Sequence, residues 1–304
     1  MWDVRLARGM EDGRTVRKPI SLFSQTLSLM LLLACAHAAA QIGSAPDEAP
    51  TSSAAPAMCA ALSAPDPASA KARQLLDQMI VALGGDAWLN FKTFQQQGRS
   101  YSFFHGKPTA AGTIFWRFYE YPDKERRELT KQRDVIYVYN GEKGYEKTFK
   151  GTSADDDKTV QEVIRRRRHS LEVVLREWLK DPQTVLFYDG QSVADQQLVD
   201  VVTLLNKDND QLSIGIDIHT HLPINQRYSW RDPDRYKVED ETIYGNYRKV
   251  QGIETPYTIT NLRDGEMSGQ SFLSHAEYNT AFAPGFFDAT VTYDPATYRP
   301  AGKK

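Results

Sequence analysis

The stretch LVDVVTLLNKDNDQLSIGIDIHTHLPINQRY, residues 198–228, decides how the chain is read. Apolar residues recur at every second position on both sides of the polar run Asn206 to Asp210. That is the period of a β-strand, and the polar run is its turn. Two strands joined by so few residues pair antiparallel. At the far end of the second strand Asp217, His219 and His221 stand two apart, a spacing that can hold a metal. Alternation supplies the competing reading. Ile214, Ile216 and Ile218 share one face and belong to the core, so Asp217, His219 and His221 take the solvent face. Pro223 has no N–H for a ladder and marks a turn. A catalytic zinc needs three converging protein ligands. The other histidines named by the pattern (His105, His169, His275) are scattered, and no His-Glu-x-x-His accompanies them. The adopted reading is a polar strand face ending in a turn, with no metal and no cofactor.

The same period continues elsewhere. TIFWRFYEYP (113–122) places Ile114, Trp116 and Phe118 on one side and Phe115, Arg117 and Tyr119 on the other. VIYVYNGEKGYEKTF (135–149) holds Asn140-Gly141, and ETPYTITNLRDGEMSGQSFLSHAEYN (254–279) holds Asp264-Gly265, both hairpin signals because these residues accept positive φ. Two segments have the helical period instead. In DPASAKARQLLDQMIVALGGD (66–86), Ala72, Leu75, Leu76, Met79, Ile80 and Leu83 form one stripe; Asp66 is the expected N-cap, Pro67 the first helical residue and Gly84-Gly85 the stop. In SADDDKTVQEVIRRRRHSLEVVLREWLKDP (153–182), a second stripe runs from Val160 to Trp178. The four arginines 165–168 spread around a helical turn and read as a solvated surface.

These elements predict an α+β, mostly β chain: a long curved antiparallel sheet of about ten strands, a half-open β-barrel, with two amphipathic helices packed in its concave face. The expected domains are a signal peptide at 1–40, an Ala/Pro/Ser-rich linker at 41–65, the folded domain at 66–289 and a tail at 290–304. Arg14, Arg17 and Lys18 precede an apolar run that ends in Ala38-x-Ala40, the layout of an export signal. Within it, LLAC at Leu32 to Cys35 also has the form of a lipobox, in which Cys35 would be acylated and would anchor the chain. Periplasmic export follows from either reading. The 304-residue chain carries a net charge of −2, which gives nucleic acid no electrostatic footing. No Gly-x-Ser-x-Gly, phosphate loop or Gly-x-Gly-x-x-Gly occurs, and the acidic run Glu239, Asp240, Glu241 reads as exposed, so no catalytic residue is assigned.

The order of export signal, capped helix ending in ALGG, many antiparallel strands, mid-chain helix and the tail segments THLPINQRY and YRKVQGIETPYTITNLRDGEMSGQSFLSHAEYNTAFAPGFFD resembles the LolA/LolB-like lipoprotein-sorting and lipid-carrying proteins of the bacterial outer membrane. The resemblance covers about residues 68–289 and rests on Gly252, Thr255-Pro256, Asp264-Gly265, Tyr278-Asn279 and Phe286-Phe287. It implies an unclosed barrel under helices, enclosing an apolar cavity for the acyl chains of a lipid or lipoprotein, with envelope sorting machinery as partner. The cavity residues expected are Ile114, Trp116, Phe118, Val201, Leu205, Ile214, Ile216 and Ile259 on the sheet, with Leu175 and Trp178 on the helical lid. An envelope interaction or regulatory protein with a filled core is the alternative, and a metal-dependent hydrolase the third reading.

Overall fold

The computed structural model describes residues 66–109 and 111–294. The signal segment, the linker, Cys35 and Cys59 lie outside the described residues, as does the chain from 295 onward.

Helix α1 (Pro67–Leu83) starts with proline in its first turn and buries Ala72, Leu75, Leu76, Met79 and Leu83. Asp66 sits at the N-cap position, but its side chain caps no N–H. Gly84 ends the helix at φ +130°, and a Cβ there would lie 2.6 Å from the Gly252 carbonyl oxygen, so only glycine lets the helix end pass the β-turn. A short α2 (Asp86–Asn90) follows.

The strands then run β1 (Thr93–Phe104), β2 (Lys107–Pro108), β3 (Thr113–Glu120), β4 (Lys124–Leu129), β5 (Val135–Asn140), β6 (Lys143–Thr148) and β7 (Gly151–Ala154). After the mid-chain helices come β8 (Val185–Ala194), β9 (Gln197–Leu205), β10 (Gln211–Asp217), β11 (Pro223–Arg231), β12 (Lys237–Val250), β13 (Ile253–Arg263) and β14 (Glu266–Tyr278). They make one 14-stranded sheet in the order β7-β6-β5-β4-β3-β1-β14-β13-β12-β11-β10-β9-β8, with β2 attached to β1. Every pairing is antiparallel, and the sheet curves without closing, as expected from the sequence.

The strand count exceeds the expected ten. β4, with the sequence KERREL, escapes a hydrophobicity pattern because its buried residues are charged: Glu125, Arg126 and Glu128 are all almost fully buried. The second helical stripe is also interrupted. It divides into α3 (Asp157–Arg168), α4 (Leu171–Arg176) and a 3-10 turn (Trp178–Lys180), because Ser170 accepts a hydrogen bond from the Val173 N–H and starts a new helix.

Register separates the two faces of the sheet. Tyr119, Glu125 and Tyr139 lie in one row across β3, β4 and β5, and Phe118, Arg126 and Val138 lie in the next. The first row faces the helices: Tyr119 joins the main core with α1 and α4, and Tyr139 packs on Val160, Val163 and Ile164 of α3. The second row faces the opposite way, beneath the segment that follows β14. There Phe118 and Val138 pack with Phe286, Phe287, Ala289 and Tyr293. The pair Phe286-Phe287 covers this outer face, and the packing continues past residue 289. Arg126 is buried among the rings: it lies 4.9 Å from the Phe286 centroid and 5.5 Å from that of Tyr293, bonds Glu128 at 2.6 Å and donates to the Phe286 carbonyl.

Phe286→Ala should therefore lower unfolding stability by about 3–5 kcal/mol, as measured by urea titration. A loss near zero would mean that the segment after β14 is not part of the folded unit.

Candidate functional site: the helix-facing side of the sheet

Helix α3 connects two limbs of the sheet that are not neighbours. On one side Val160, Val163 and Ile164 pack against Tyr137 and Tyr139 of β5, and Arg167 donates to the Gly141 carbonyl at 3.0 Å. Gly144 permits this approach, since a Cβ there would sit 2.7 Å from the Val160 side chain. On the other side Arg165 stacks 3.4 Å above the Trp230 ring of β11, and Glu162 pairs with Arg263 of β13 at 3.1 Å. Arg263 and the Trp230 indole N–H both reach Asp240 at 2.8 Å. Of the arginine run read as solvated, only Arg168 is classed as exposed; the rest make these contacts or pair with Glu162. Asp240 is likewise buried, contrary to the exposed reading of the 239–241 run.

The joint between α3 and α4 is His169. Its ring lies 3.8 Å from Tyr228 in a 7° stack, Nδ1 is 2.8 Å from the Arg165 carbonyl and Nε2 is 2.8 Å from the Asp210 carboxylate. Each ring nitrogen thus faces an acceptor oxygen. No sequence motif points to this histidine; only the packing of α3 on the β9–β10 turn gives it a role.

Between the two limbs, β1, β14 and β13 form the floor. One row runs Arg117, Gln96, Ala276, and a second runs Tyr244, Ile259, Ser271, Ser100. Tyr257, Leu273 and Ala276, with Phe115 and Val250, form an apolar cluster separate from the main core. Loss of solvation is the largest influence on the ionisation of Arg117, Tyr244 and Tyr247, and it pushes both phenols well above their ordinary range. Yet the Arg117 side chain keeps 31% of its exposure, and both tyrosines are only half-buried. Arg117, Tyr244 and Tyr247 are thus crowded by neighbouring groups without being fully buried. Glu172 of α4 acts on the same region: its charge adds to the upward push on Tyr119, Tyr121, Tyr244 and Tyr278, the last of which burial takes to about 12.

Arg117 and Arg127 share one carboxylate. Arg117 bonds Glu125 through two nitrogens at 2.9 and 3.4 Å, and Arg127 bonds the same carboxylate. Burial alone would raise the Glu125 carboxyl, but the two guanidinium groups outweigh it and hold the group well below the usual carboxylate range.

The ten residues expected to line a cavity do not meet in one place. Leu175, Trp178, Ile214 and Ile216 lie in the packed main core with α1. Trp116 and Phe118 lie on the opposite face beneath the Phe286 segment, and Ile114, two residues before Trp116 on the same strand, is half-buried. Val201 joins a cluster with Ala194, Val199 and Ile224, whereas its neighbour Val202 is the one that enters the main core. Leu205 is half-buried opposite Val185 at the sheet edge. Ile259 alone is in the floor row with Tyr244. The hydrophobic period identifies faces but not which face the helices cover, and this accounts for the mixture.

Asp217 has a local task. Its Oδ1 accepts from the His219 N–H at 3.0 Å and from the Thr220 N–H and hydroxyl at 2.6 and 2.8 Å, closing the turn after β10. Burial works against the charge, but these donors prevail and hold the carboxyl below its usual range. The strand ends at Asp217, so His219 and His221 do not extend it as the alternating pattern suggests; His221 has φ +58°. Among the described residues, no group of three or more His, Cys, Asp or Glu is placed to hold a metal.

No family model matches the chain, and no curated protein matches it by sequence. Solved structures do match. A DUF1329 family protein from Desulfovibrio piger superposes with a TM-score of 0.53 at 11% identity, over 73% of this chain and 98% of that one. This chain has the same fold as that protein. A LolA superfamily protein from Nitrosomonas europaea matches with a TM-score of 0.42 at 10% identity, over 69% of this chain and 94% of that one. The lipoprotein LppX of Mycobacterium tuberculosis matches with a TM-score of 0.25 at 11% identity, over 69% and 97% of the two chains.

Because Glu125 is more acidic in the folded chain, its contribution is complete above the unfolded value of about 4.3 and is lost as pH falls towards the depressed folded value. Glu125→Gln should cost about 3 kcal/mol at neutral pH, leaving two half-buried guanidinium groups without their counter-charge. It should also flatten the fall in stability between about pH 5 and about pH 3, measured by urea unfolding across that range. An unchanged slope would remove Glu125 from the acid response.

Proposed function

We propose that the protein binds the acyl chains of a lipid or lipoprotein in a recess between α3, α4 and the β1–β14–β13 floor, and carries them within the bacterial envelope. The observation that supports this reading is the state of Arg117, Tyr244 and Tyr247, which are deep in the protein and yet open to solvent. The apolar cluster around Tyr257, Leu273 and Phe115 offers a surface for a chain, and Arg117 and Glu172 offer polar contacts for the group at its end. The likeness in fold agrees with this proposal without carrying it. Export, read from the first 40 residues, would place the protein where such cargo passes, and sorting machinery at either membrane is the partner the reading calls for. No bond-making step is assigned to the site: the proposed role is binding and release.

Lipid extracted from the purified protein and identified by mass spectrometry should reveal a bound amphiphile, and the delipidated protein should take up a fluorescent fatty acid. Gln96→Trp, which places an indole on the floor beside Arg117 and Ala276, should weaken that uptake about tenfold with an unchanged circular dichroism spectrum. Absence of both bound lipid and uptake would defeat the carrier reading.

A further inference from the structure

Successive antiparallel strands send their turns alternately to two ends of the sheet. The turns 104–107, 148–151 and 231–237 all fall at one end, together with 129–135, 205–211 and 263–266. Each of the first three holds a large aromatic side chain standing in solvent: Phe104 is 68% exposed, Phe149 90% and Tyr236 72%. At the turns of the opposite end, among the described residues, the large apolar groups left exposed nearby are Val81, Val193 and Leu198, none of them aromatic.

Charge follows the same three turns. Lys107 is the charged residue of the first, apart from His105, which pairs with Glu266 at 3.3 Å. Lys150 is the charged residue of the second, and its ammonium lies 5.7 Å from the Phe149 ring. In the third, Arg231, Arg235 and Lys237 outnumber Asp232 and Asp234. Of the three turns at this end without an exposed aromatic, two are acidic, since Asp208 and Asp210 outweigh Lys207 in one and Asp264 and Glu266 outweigh Arg263 in another, whereas Lys131 and Arg133 outnumber Asp134 in the third.

We propose that this end of the sheet is a docking surface for a membrane carrying anionic lipid, with Phe104, Phe149 and Tyr236 entering the headgroup layer and Lys107, Lys150 and Lys237 meeting lipid phosphates. A protein partner would call for aromatic groups gathered in one desolvated patch. Here they are dispersed, one to a turn, each with a cation beside it. That arrangement suits a flat interface of mixed polarity, where aromatic rings settle at headgroup depth and basic side chains add attraction that salt screens. The proposal concerns the turns alone and does not depend on cargo in the recess.

The test is co-sedimentation of the full chain with vesicles of phosphatidylglycerol and phosphatidylethanolamine, and with vesicles of phosphatidylcholine alone. Cys35→Ser is carried throughout, so that acylation contributes nothing. The parent protein should sediment with the anionic vesicles and release as salt rises. F104S/F149S/Y236S should weaken the association by at least about tenfold, and K107Q/K150Q/K237Q should weaken it and reduce its salt dependence. Val81→Ser, on the exposed side of α1, should change nothing. Fluorescent fatty-acid uptake should be the same in the parent and both triple variants, which separates this proposal from the carrier reading. The proposal is overturned if the parent ignores anionic vesicles, if the aromatic variant sediments like the parent, or if Val81→Ser produces the same loss. Association confined to native membranes and abolished by prior protease treatment of those membranes would assign the surface to a protein partner and overturn it equally.

Discussion

Helix α3 touches β5 and β6 on one side and β11 to β13 on the other, and the span between those limbs sets how tightly the sheet can curl. The two attachments differ in kind. Towards β5 the contact is apolar, through Val160, Val163 and Ile164, and burial makes it strong and indifferent to geometry. Towards β11 to β13 it is polar and directional: a guanidinium on an indole and a carboxylate between two arginines. Charged contacts of this second kind are the ones that pH and salt can alter, so the two attachments respond differently to the same change of medium.

The buried charges of β4 belong to the same logic. A strand in the middle of a curved sheet has both faces covered, and in most proteins such a strand is nearly all apolar. Here one face carries Glu125 between Arg117 and Arg127, and the other carries Arg126 against Glu128 beneath aromatic rings. Each charge has a partner, which is what permits burial at all. The two faces are thus polar inside and capped by apolar material outside, the reverse of a simple oily core.

Much of this was legible in the residues and some was not. Alternation in β3, β9, β10, β13 and β14 and the turn residues Asp264-Gly265 predict the antiparallel sheet, because both signals are local. The stripe of α1 is local too. What alternation cannot supply is the identity of the covered face, so Val201 was grouped with Ile214 although Val202 is the residue opposite Ile214 in the ladder. The β4 strand was invisible because its burial depends on partners from β3 and from residues near 286, which no window on KERREL contains. The grouping of Arg117 with Tyr244 was invisible for the same reason: three strands lie between them in the sheet. His219 and His221, the most conspicuous pair in the sequence, follow the end of a strand whose last residue closes its own turn.

The pairing of β1 with β14 and the return of residues 282–293 over β3 and β5 tie the two extremes of the domain together. A chain made from its N-terminus presents β1 long before β14 exists to meet it. The central ladder of the sheet waits for β14, and the outer face of β3 and β5 stays uncovered until residues 282–293 arrive. Contacts this distant in sequence make completion of the fold a late event in synthesis.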